Sequence, residues 1–228
     1  MPNVKMILGT DEETGSRDLK HYFANHPFAP YSITPDTCFP VTNIEKAGYA
    51  PRFSAVWEPC GEARGQLLSL EGGIRVNVAP GNCTAKICQM PAQSVQEAVE
   101  TVSSATGVQF CMEEENGVLT LEATGAQSHA SRPDEGRNAI TAMLEVLCRL
   151  PLAEDSAAQT VRNLHKLFPY GDNGGAALGI AMEDAVSGKL TLTLSLLHLD
   201  TRGFRAQFDC RAPLCATPEN TQAVTEKA

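Results

Sequence analysis

Two distant segments of the chain carry nearly the same short pattern, and this repetition constrains the fold more than any other feature. Residues 117–121 read GVLTL and residues 188–192 read GKLTL, each directly after an acidic turn. Both have the composition of the second strand of a β-hairpin. The recurrence predicts two copies of a similar α+β unit. Amphipathic stretches over 138–150 and 153–167 predict two helices between the copies.

The first fifty residues have a different character. An apolar run over 4–8, closed by Gly9, predicts a buried strand, and a short helix is predicted to begin at Ser16, whose hydroxyl would cap it. Beyond about residue 50, predicted strands over 53–57, 66–70, 74–78, 84–87 and 204–211 alternate with amphipathic helices. We therefore divide the chain into 1–48 and 49–228. Because a sheet of this kind normally needs one more strand, we expect the second part to be cut short at its C-terminus.

Charge and cysteine usage exclude several classes of protein. With 27 acidic against 18 basic residues, the net charge of −9 argues against a surface that binds nucleic acid. No apolar run approaches the ~18 residues of a membrane span, and no basic-then-apolar segment follows Met1, so we expect neither a membrane segment nor a signal peptide. The eight cysteines form no CxxC pair. We interpret them as reduced, mostly buried thiols of a cytoplasmic protein.

Two places offer candidates for chemistry. The first is GTDEETG, residues 9–15, where adjacent Glu12 and Glu13 lie at a turn after the predicted strand. At a turn both carboxylates can serve one site, one binding a divalent metal and the other accepting a proton from water. The alternative is an acidic first helical turn, favoured by the helix dipole. The second candidate is Asp36, which after Pro35 is alternatively a simple turn former.

These segments, taken together, resemble the co-catalytic dizinc exopeptidases. This metallopeptidase family of hydrolases includes dipeptidases, carnosinases, aminoacylases, carboxypeptidase G and succinyl-diaminopimelate desuccinylase. The chain looks closest to the bacterial broad-specificity Xaa-dipeptidase branch. The matching segments are GTDEETG (9–15), ITPDTCFPVTNIEKAG (33–48), LEGGIRVNVAPGNCTAKI (70–87), TGAQSHASRPDEGRNAITAML (124–144), LGIAMEDAVSGKLTLTLSLL (178–197) and FRAQFDCRAP (204–213).

The resemblance implies a fold and an activity. Residues 1–48 would be the tail of an α/β catalytic domain, with the Glu-Glu pair after a strand and a metal-ligand loop. Residues 49–228 would be an α+β lid, or dimerisation, domain of two ferredoxin-like units. The implied activity is the zinc-dependent hydrolysis of dipeptides or N-acyl amino acids, with two zinc ions and a homodimer formed through the lid.

The resemblance also assigns roles to individual residues. Glu12 corresponds to the general base, and Glu13 and Asp36 correspond to zinc ligands. His129 matches a lid histidine that stabilises the oxyanion. Arg211 matches a lid arginine that binds the substrate carboxylate. Asn77 matches a lid asparagine near the substrate. Alternatively, His129 is hydrogen-bonded within its own loop and Arg211 forms an ion pair with Asp209.

Part of the family's metal site has no counterpart in this chain. The family carries a His-x-Asp motif and a bridging aspartate upstream of the Glu-Glu pair, whereas only residues 1–11 precede Glu12. It also carries a late zinc-binding histidine, whereas no histidine follows His198. Zinc sites require three or four protein ligands. We therefore expect a fragment of a dipeptidase, inactive alone. The alternative is a truncated, non-catalytic paralogue that acts as a lid-type interaction module.

Overall fold

The computed structural model describes residues 4–12, 15–35, 40–61 and 63–228. The chain divides into two compact units, Met1–Asn43 and Ile44–Ala228. The fold class is mixed α/β with a large α+β unit, as expected from the sequence. The assignment of 1–48 to a catalytic domain and 49–228 to a lid stays a prediction. No helix among the described residues is long and apolar enough to cross a membrane.

The first unit contains one described helix, α1, over Arg17–Asn25. The predicted strand over 4–8 is wrong: these residues form no regular structure, and the side chains of Val4 and Leu8 are 88% and 82% exposed. The physical reason is that a strand requires a neighbour for its backbone hydrogen bonds, and the described part of this unit contains no strand.

The start of α1 is held differently from the prediction. Ser16 precedes the helix with φ 51°, and its hydroxyl makes no capping bond. Instead, the Arg17 N–H donates to Asp11 Oδ2 at 2.9 Å. The Asp11 carboxylate thus takes the role that a capping side chain normally has at this end of a helix.

The second unit is built on one continuous antiparallel sheet. Its strands are β1 Ala47–Tyr49, β2 Arg52–Val56, β3 Leu67–Gly72, β5 Asn82–Cys88, β6 Gln109–Glu115, β7 Val118–Thr124, β11 Thr191–Asp200 and β12 Gly203–Ala212. They run in the order β1-β12-β11-β3-β5-β7-β6, and β2 pairs with β12 as well. Two small ribbons stand apart from it: β4 Val78–Ala79 with β8 Ser128–His129, and β9 Glu183–Asp184 with β10 Gly188–Lys189.

Helices cover one face of this sheet and form the core with it. They are α2 Ala92–Thr106, α3 Ala139–Leu147 and α4 Ser156–Leu167, while α5 is the short Gln222–Thr225. Strands β5 and β7 alternate buried apolar with more exposed polar residues, as a half-covered sheet requires. Asn138 begins α3 by accepting from the Ile140 and Thr141 N–H groups. Its amide also donates to the Leu194 carbonyl at 2.9 Å, which ties the helix to β11.

Both predicted hairpin glycines adopt positive φ, 78° at Gly117 and 75° at Gly188. Gly117 follows Asn116, also at positive φ, in the two-residue turn between β6 and β7. A strand predicted over 74–78 is wrong except at Val78. Gly73, with φ 83°, lies so close to the Ser195 carbonyl that a Cβ there would be 1.8 Å from the oxygen, and the chain turns away from β3 at this point.

The ribbon of β9 and β10 is joined to the chain after β12 by Asp184. Its carboxylate accepts from the Ser187 N–H at 2.6 Å and from the Ser187 hydroxyl at 2.7 Å. It also accepts from the Cys215 N–H at 3.2 Å. Because these donors, Ser187 above all, stabilise the charged form, the pKa of Asp184 is held well below its usual range.

Candidate functional site

In the first unit, Glu12 lies exposed in a turn that two other acidic side chains hold. Asp18 Oδ2 accepts from the Thr10 N–H at 2.5 Å. These backbone donors, the Thr10 N–H first, lower the pKa of Asp18. Asp11 binds Arg17 through both carboxylate oxygens, with the shorter Nε–Oδ2 distance at 2.8 Å. Asp11 and Asp18 therefore hold the backbone of this turn in place, while Glu12 remains exposed to solvent.

The predicted metal ligands Glu13 and Asp36 lie outside the described residues. Within the ranges that the structure describes, no group of three or more His, Cys, Asp or Glu side chains is arranged to hold a metal ion. The described side chains alone therefore do not form the zinc site that the resemblance implies. The two ligands and the zinc ions stay predictions from the resemblance.

In the second unit, His129 is exposed at the end of β8. The Ser131 N–H points at His129 Nδ1, with the nitrogens 3.2 Å apart, and Ser131 Oγ is 2.7 Å from the same Nδ1. A backbone N–H can only donate, so Nδ1 is the acceptor and the neutral ring carries its proton on Nε2. The ring thus presents an N–H donor away from its own loop.

Asn77 lies beside this histidine. Val78 is the register partner of His129 in the β4–β8 ribbon, and the Ala130 N–H donates to the Asn77 carbonyl at 2.8 Å. Asn77 is half-buried. The backbone pairing therefore brings the main chains of Asn77 and His129, 52 positions apart in the sequence, close together, and both residues were predicted to lie near a substrate.

Arg211, on β12, forms the ion pair with Asp209 that the sequence left open as an alternative. Its Nε donates to Asp209 Oδ1 at 2.8 Å and its Nη2 to Oδ2 at 3.1 Å. The Asp209 side chain is 6% exposed and that of Arg211 27%. The hydrogen bonds that Arg211 donates to Asp209 raise the pKa of Arg211. A buried carboxylate thus orients the guanidinium, which keeps its other N–H groups for a further partner.

A short series of contacts connects Arg211 with the His129 loop. Thr193 lies opposite Asp209 in the β11–β12 ladder. The Thr193 hydroxyl donates to the carbonyl of Ala130, next to His129, at 3.3 Å. Arg211, Asp209, Thr193 and the His129 loop therefore belong to one packed cluster, which we call the lid cluster.

A glycine-rich loop, residues 170–175, borders the lid cluster. The Asn173 carbonyl accepts from the Leu192 N–H at 2.8 Å, and its amide donates to Asp134 at 2.6 Å. Asp134 belongs to the 3-10 turn Pro133–Glu135, just after His129. Sequence reasoning named Asp209 only as an alternative ion-pair partner of Arg211, and it missed Thr193 and the Asp134–Asn173 bond as parts of the site. The one available signal was the Asp209-x-Arg211 spacing, since residues two apart on a strand share a face.

The chain is similar in sequence to known proteins of the peptidase class. Residues 117–227 match the family described as the peptidase dimerisation domain, M20 type. The chain is 30% identical over 227 residues to a Bacillus subtilis (strain 168) protein named "Putative dipeptidase YtjP", covering 99% of this chain and 49% of that protein. It is 24% identical over 202 residues to "Putative dipeptidase SAUSA300_1697" of Staphylococcus aureus (strain USA300), covering 86% of this chain and 42% of that protein. The chain thus spans about half the length of the curated relatives it matches.

Proposed function

Because this chain is related to the M20 peptidases, as its sequence motifs predict, we propose that it supplies lid side chains for the hydrolysis of dipeptides in a longer protein. The contact that carries the proposal is the bidentate bond between buried Asp209 and Arg211. This bond holds the Arg211 guanidinium in a fixed orientation near the His129 loop. Alone, without a complete metal site, the chain would be inactive.

Arg211 is proposed to bind the free carboxylate of the substrate. A guanidinium has five N–H donors, and Asp209 takes one from Nε and one from Nη2. The remaining donors form a planar edge suited to a second carboxylate. Since Asp209 already fixes the side chain, less rotamer entropy is lost when the substrate binds.

His129 is proposed to stabilise the tetrahedral oxyanion. The Ser131 N–H favours the tautomer with its proton on Nε2, so the ring is preset to donate a hydrogen bond. A preset donor at a developing negative charge lowers the barrier because it needs no reorganisation. Asn77, beside it, is proposed to contact the substrate amide.

Glu12 is proposed to act as the general base, since an exposed carboxylate at a fixed turn is available to accept a proton from water. Glu13 and Asp36 are proposed as ligands of the zinc ions.

A second function is proposed for the same unit, namely self-association. The matched family is a dimerisation domain, and its residues 117–227 include β7, β11 and β12. Self-association would also be the function of the chain if it is a non-catalytic interaction module. A cytoplasmic location is proposed with it, since each of the seven cysteines among the described residues has a free thiol.

The first experiment measures dipeptide hydrolysis by the 228-residue chain with added zinc, cobalt or manganese. We expect no turnover above background. Metal-dependent turnover that Glu12→Gln abolishes would contradict the proposal that the chain is inactive alone.

The second experiment tests Arg211 in a full-length protein that contains this sequence. Arg211→Ala should lower kcat/KM for dipeptides by about 10- to 100-fold, the range expected for a lost charged hydrogen bond. Dipeptide amides should lose far less. Arg162→Ala, which removes an arginine on α4 paired with Glu154, is the control. Equal losses for acids and amides would remove Arg211 from this role.

A further inference from the structure

A groove of about 500 Å³ lies on the face of the large sheet that the helices leave open. Strands β2, β12 and β11 and the end of β3 form it. Across the sheet, one row of register partners runs Ser54, Arg205, His198, and the next runs Arg52, Gln207, Leu196. The groove is thus built from alternate residues of adjacent strands, which point to the same face.

The backbone leaves this space open for two reasons. The register of β11 on β12 shifts between Leu194 and Leu196, so that one extra residue is accommodated. Gly73, directly after β3, has no side chain to fill the groove and approaches the Ser195 carbonyl closely. A cavity of this size accommodates a small molecule.

The charge of the groove is opposite to that of the chain. Arg52 and Arg205 line it, together with His198, and no carboxylate does. The chain as a whole carries a net charge of −9. In the parts of the chain that the structure describes, neither arginine has an ion-pair partner. Glu71 and Asp200 contact His198 but lie outside the groove lining.

The two arginines are placed to act together. Arg205 lies opposite Ser54 and Arg52 lies opposite Gln207, so the two arginines are diagonal neighbours on adjacent strands. At diagonal positions, side chains as long as arginine can reach the same bound group. Arg52 is oriented by its bond from Nε to Gln207 Oε1, 3.2 Å long, and Gln207 is fixed in turn by the Ala50 carbonyl at 2.9 Å. The Nη groups of Arg52 remain available.

We propose that this groove, which we call the arginine groove, binds a small oxyanion between Arg52 and Arg205. The shared chemistry is a planar or tetrahedral group with several acceptor oxygens, either the carboxylates of a small acid or a phosphate. Both fit guanidinium forks. The groove is separate from the proposed substrate contact, because Arg205 and Arg211 are six residues apart on β12, or about 20 Å. It does not depend on the proposed function.

The test is a titration of the 228-residue chain, observed through the ¹⁵N side-chain NMR signals of its arginines. The probes are inorganic phosphate in one series and glutarate, a dicarboxylate, in the other, at constant ionic strength. We expect saturable shifts of the Arg52 and Arg205 signals with at least one probe. Saturation by phosphate alone identifies a phosphate site, and saturation by glutarate alone identifies a carboxylate site.

Matched variants distinguish a specific anion site from non-specific electrostatic attraction. Arg205→Gln should weaken binding about tenfold or more, as loss of a charge-assisted bond predicts. Arg202→Gln makes the same charge change at the exposed tip of the β11–β12 hairpin and should change the affinity less than about twofold. Arg211→Gln should leave these shifts intact, whereas it should impair the proposed dipeptide binding.

Two results would overturn the proposal. One is the absence of a saturable shift of either arginine with both probes. The other is an equal loss of affinity in Arg202→Gln and Arg205→Gln, which would mean that only overall charge attracts the anion. Thermal unfolding and circular dichroism of each variant check that it is folded. Arg205→Lys, which keeps the charge but loses the fork, should bind with intermediate affinity.

Discussion

The bond between Asp209 and Arg211 gives a quantitative test of how the lid cluster is held. Asp209→Asn keeps the shape of the side chain but removes its charge and one of its two acceptors. A hydrogen bond to a charged group contributes about 1.5–3 kcal/mol to stability. Because the Arg211 side chain is 27% exposed, water replaces part of what is lost. We expect the free energy of unfolding to fall by about 2 kcal/mol, or roughly 4–8 °C in Tm.

The two partners should not respond equally. Arg211→Gln leaves the Asp209 carboxylate, 6% exposed, without its cation. Breaking a buried ion pair in this way costs about 3–5 kcal/mol. We therefore expect Arg211→Gln to be more destabilising than Asp209→Asn. The double variant should show a coupling energy of about 1–2 kcal/mol.

Urea unfolding at pH 7 measures these differences as shifts in midpoint at constant slope. Glu154→Gln is the matched control. It breaks an ion pair with Arg162 whose N–O distance, 2.7 Å, is close to the 2.8 Å between Arg211 and Asp209. The Glu154 side chain, however, is 81% exposed. Its cost should be about 0.5 kcal/mol or less. If Asp209→Asn lowers the free energy of unfolding by no more than this control does, burial does not strengthen the pair. Asp209 would then not hold the Arg211 side chain in place for a substrate.

Three further predictions concern the second unit. Because the folded state lowers the pKa of Asp184, this group stabilises the fold above the unfolded pKa near 4 and loses that effect as the pH falls through its folded pKa. The difference in urea midpoint between wild type and Asp184→Asn should therefore shrink from pH 7 to pH 2.5; a constant difference would contradict this. Gly73→Ala should cost about 3 kcal/mol or more in unfolding free energy, against less than about 1 kcal/mol for Gly48→Ala, which meets no atom within 4 Å. Burial raises the pKa of the Cys210 thiol to about 12, whereas Cys111 is exposed. At pH 8 a thiol reagent should modify Cys111 in the native protein and Cys210 only after unfolding, as mapped by mass spectrometry; fast native labelling of Cys210 would refute the burial.

Local patterns in the sequence were sufficient for most elements of the second unit. The helix predicted over 153–167 is α4, and the strand predicted over 204–211 is β12. Both depend on apolar periodicity and on residues close in sequence, which act in the same way wherever the segment lies. The prediction failed where the structure of a segment depends on pairing with residues distant in the sequence. Residues 4–8 have the composition of a strand, but no strand in the described part of their unit pairs with them.

The sequence alone was enough to predict the mixed α/β class, and its resemblance to a known family made side chains such as His129 and Arg211 candidates for the chemistry. These depend on residue identity and short spacing. The pairing of strands in the folded sheet, by contrast, is what places Thr193 opposite Asp209 and against the His129 loop, and what brings Arg52 and Arg205 to one groove. The physical reason is that such contacts follow from strand order and register, which the packing of the entire sheet against its helices sets. A shift of one residue in β12 would move Arg205 and Arg211 to the opposite face together.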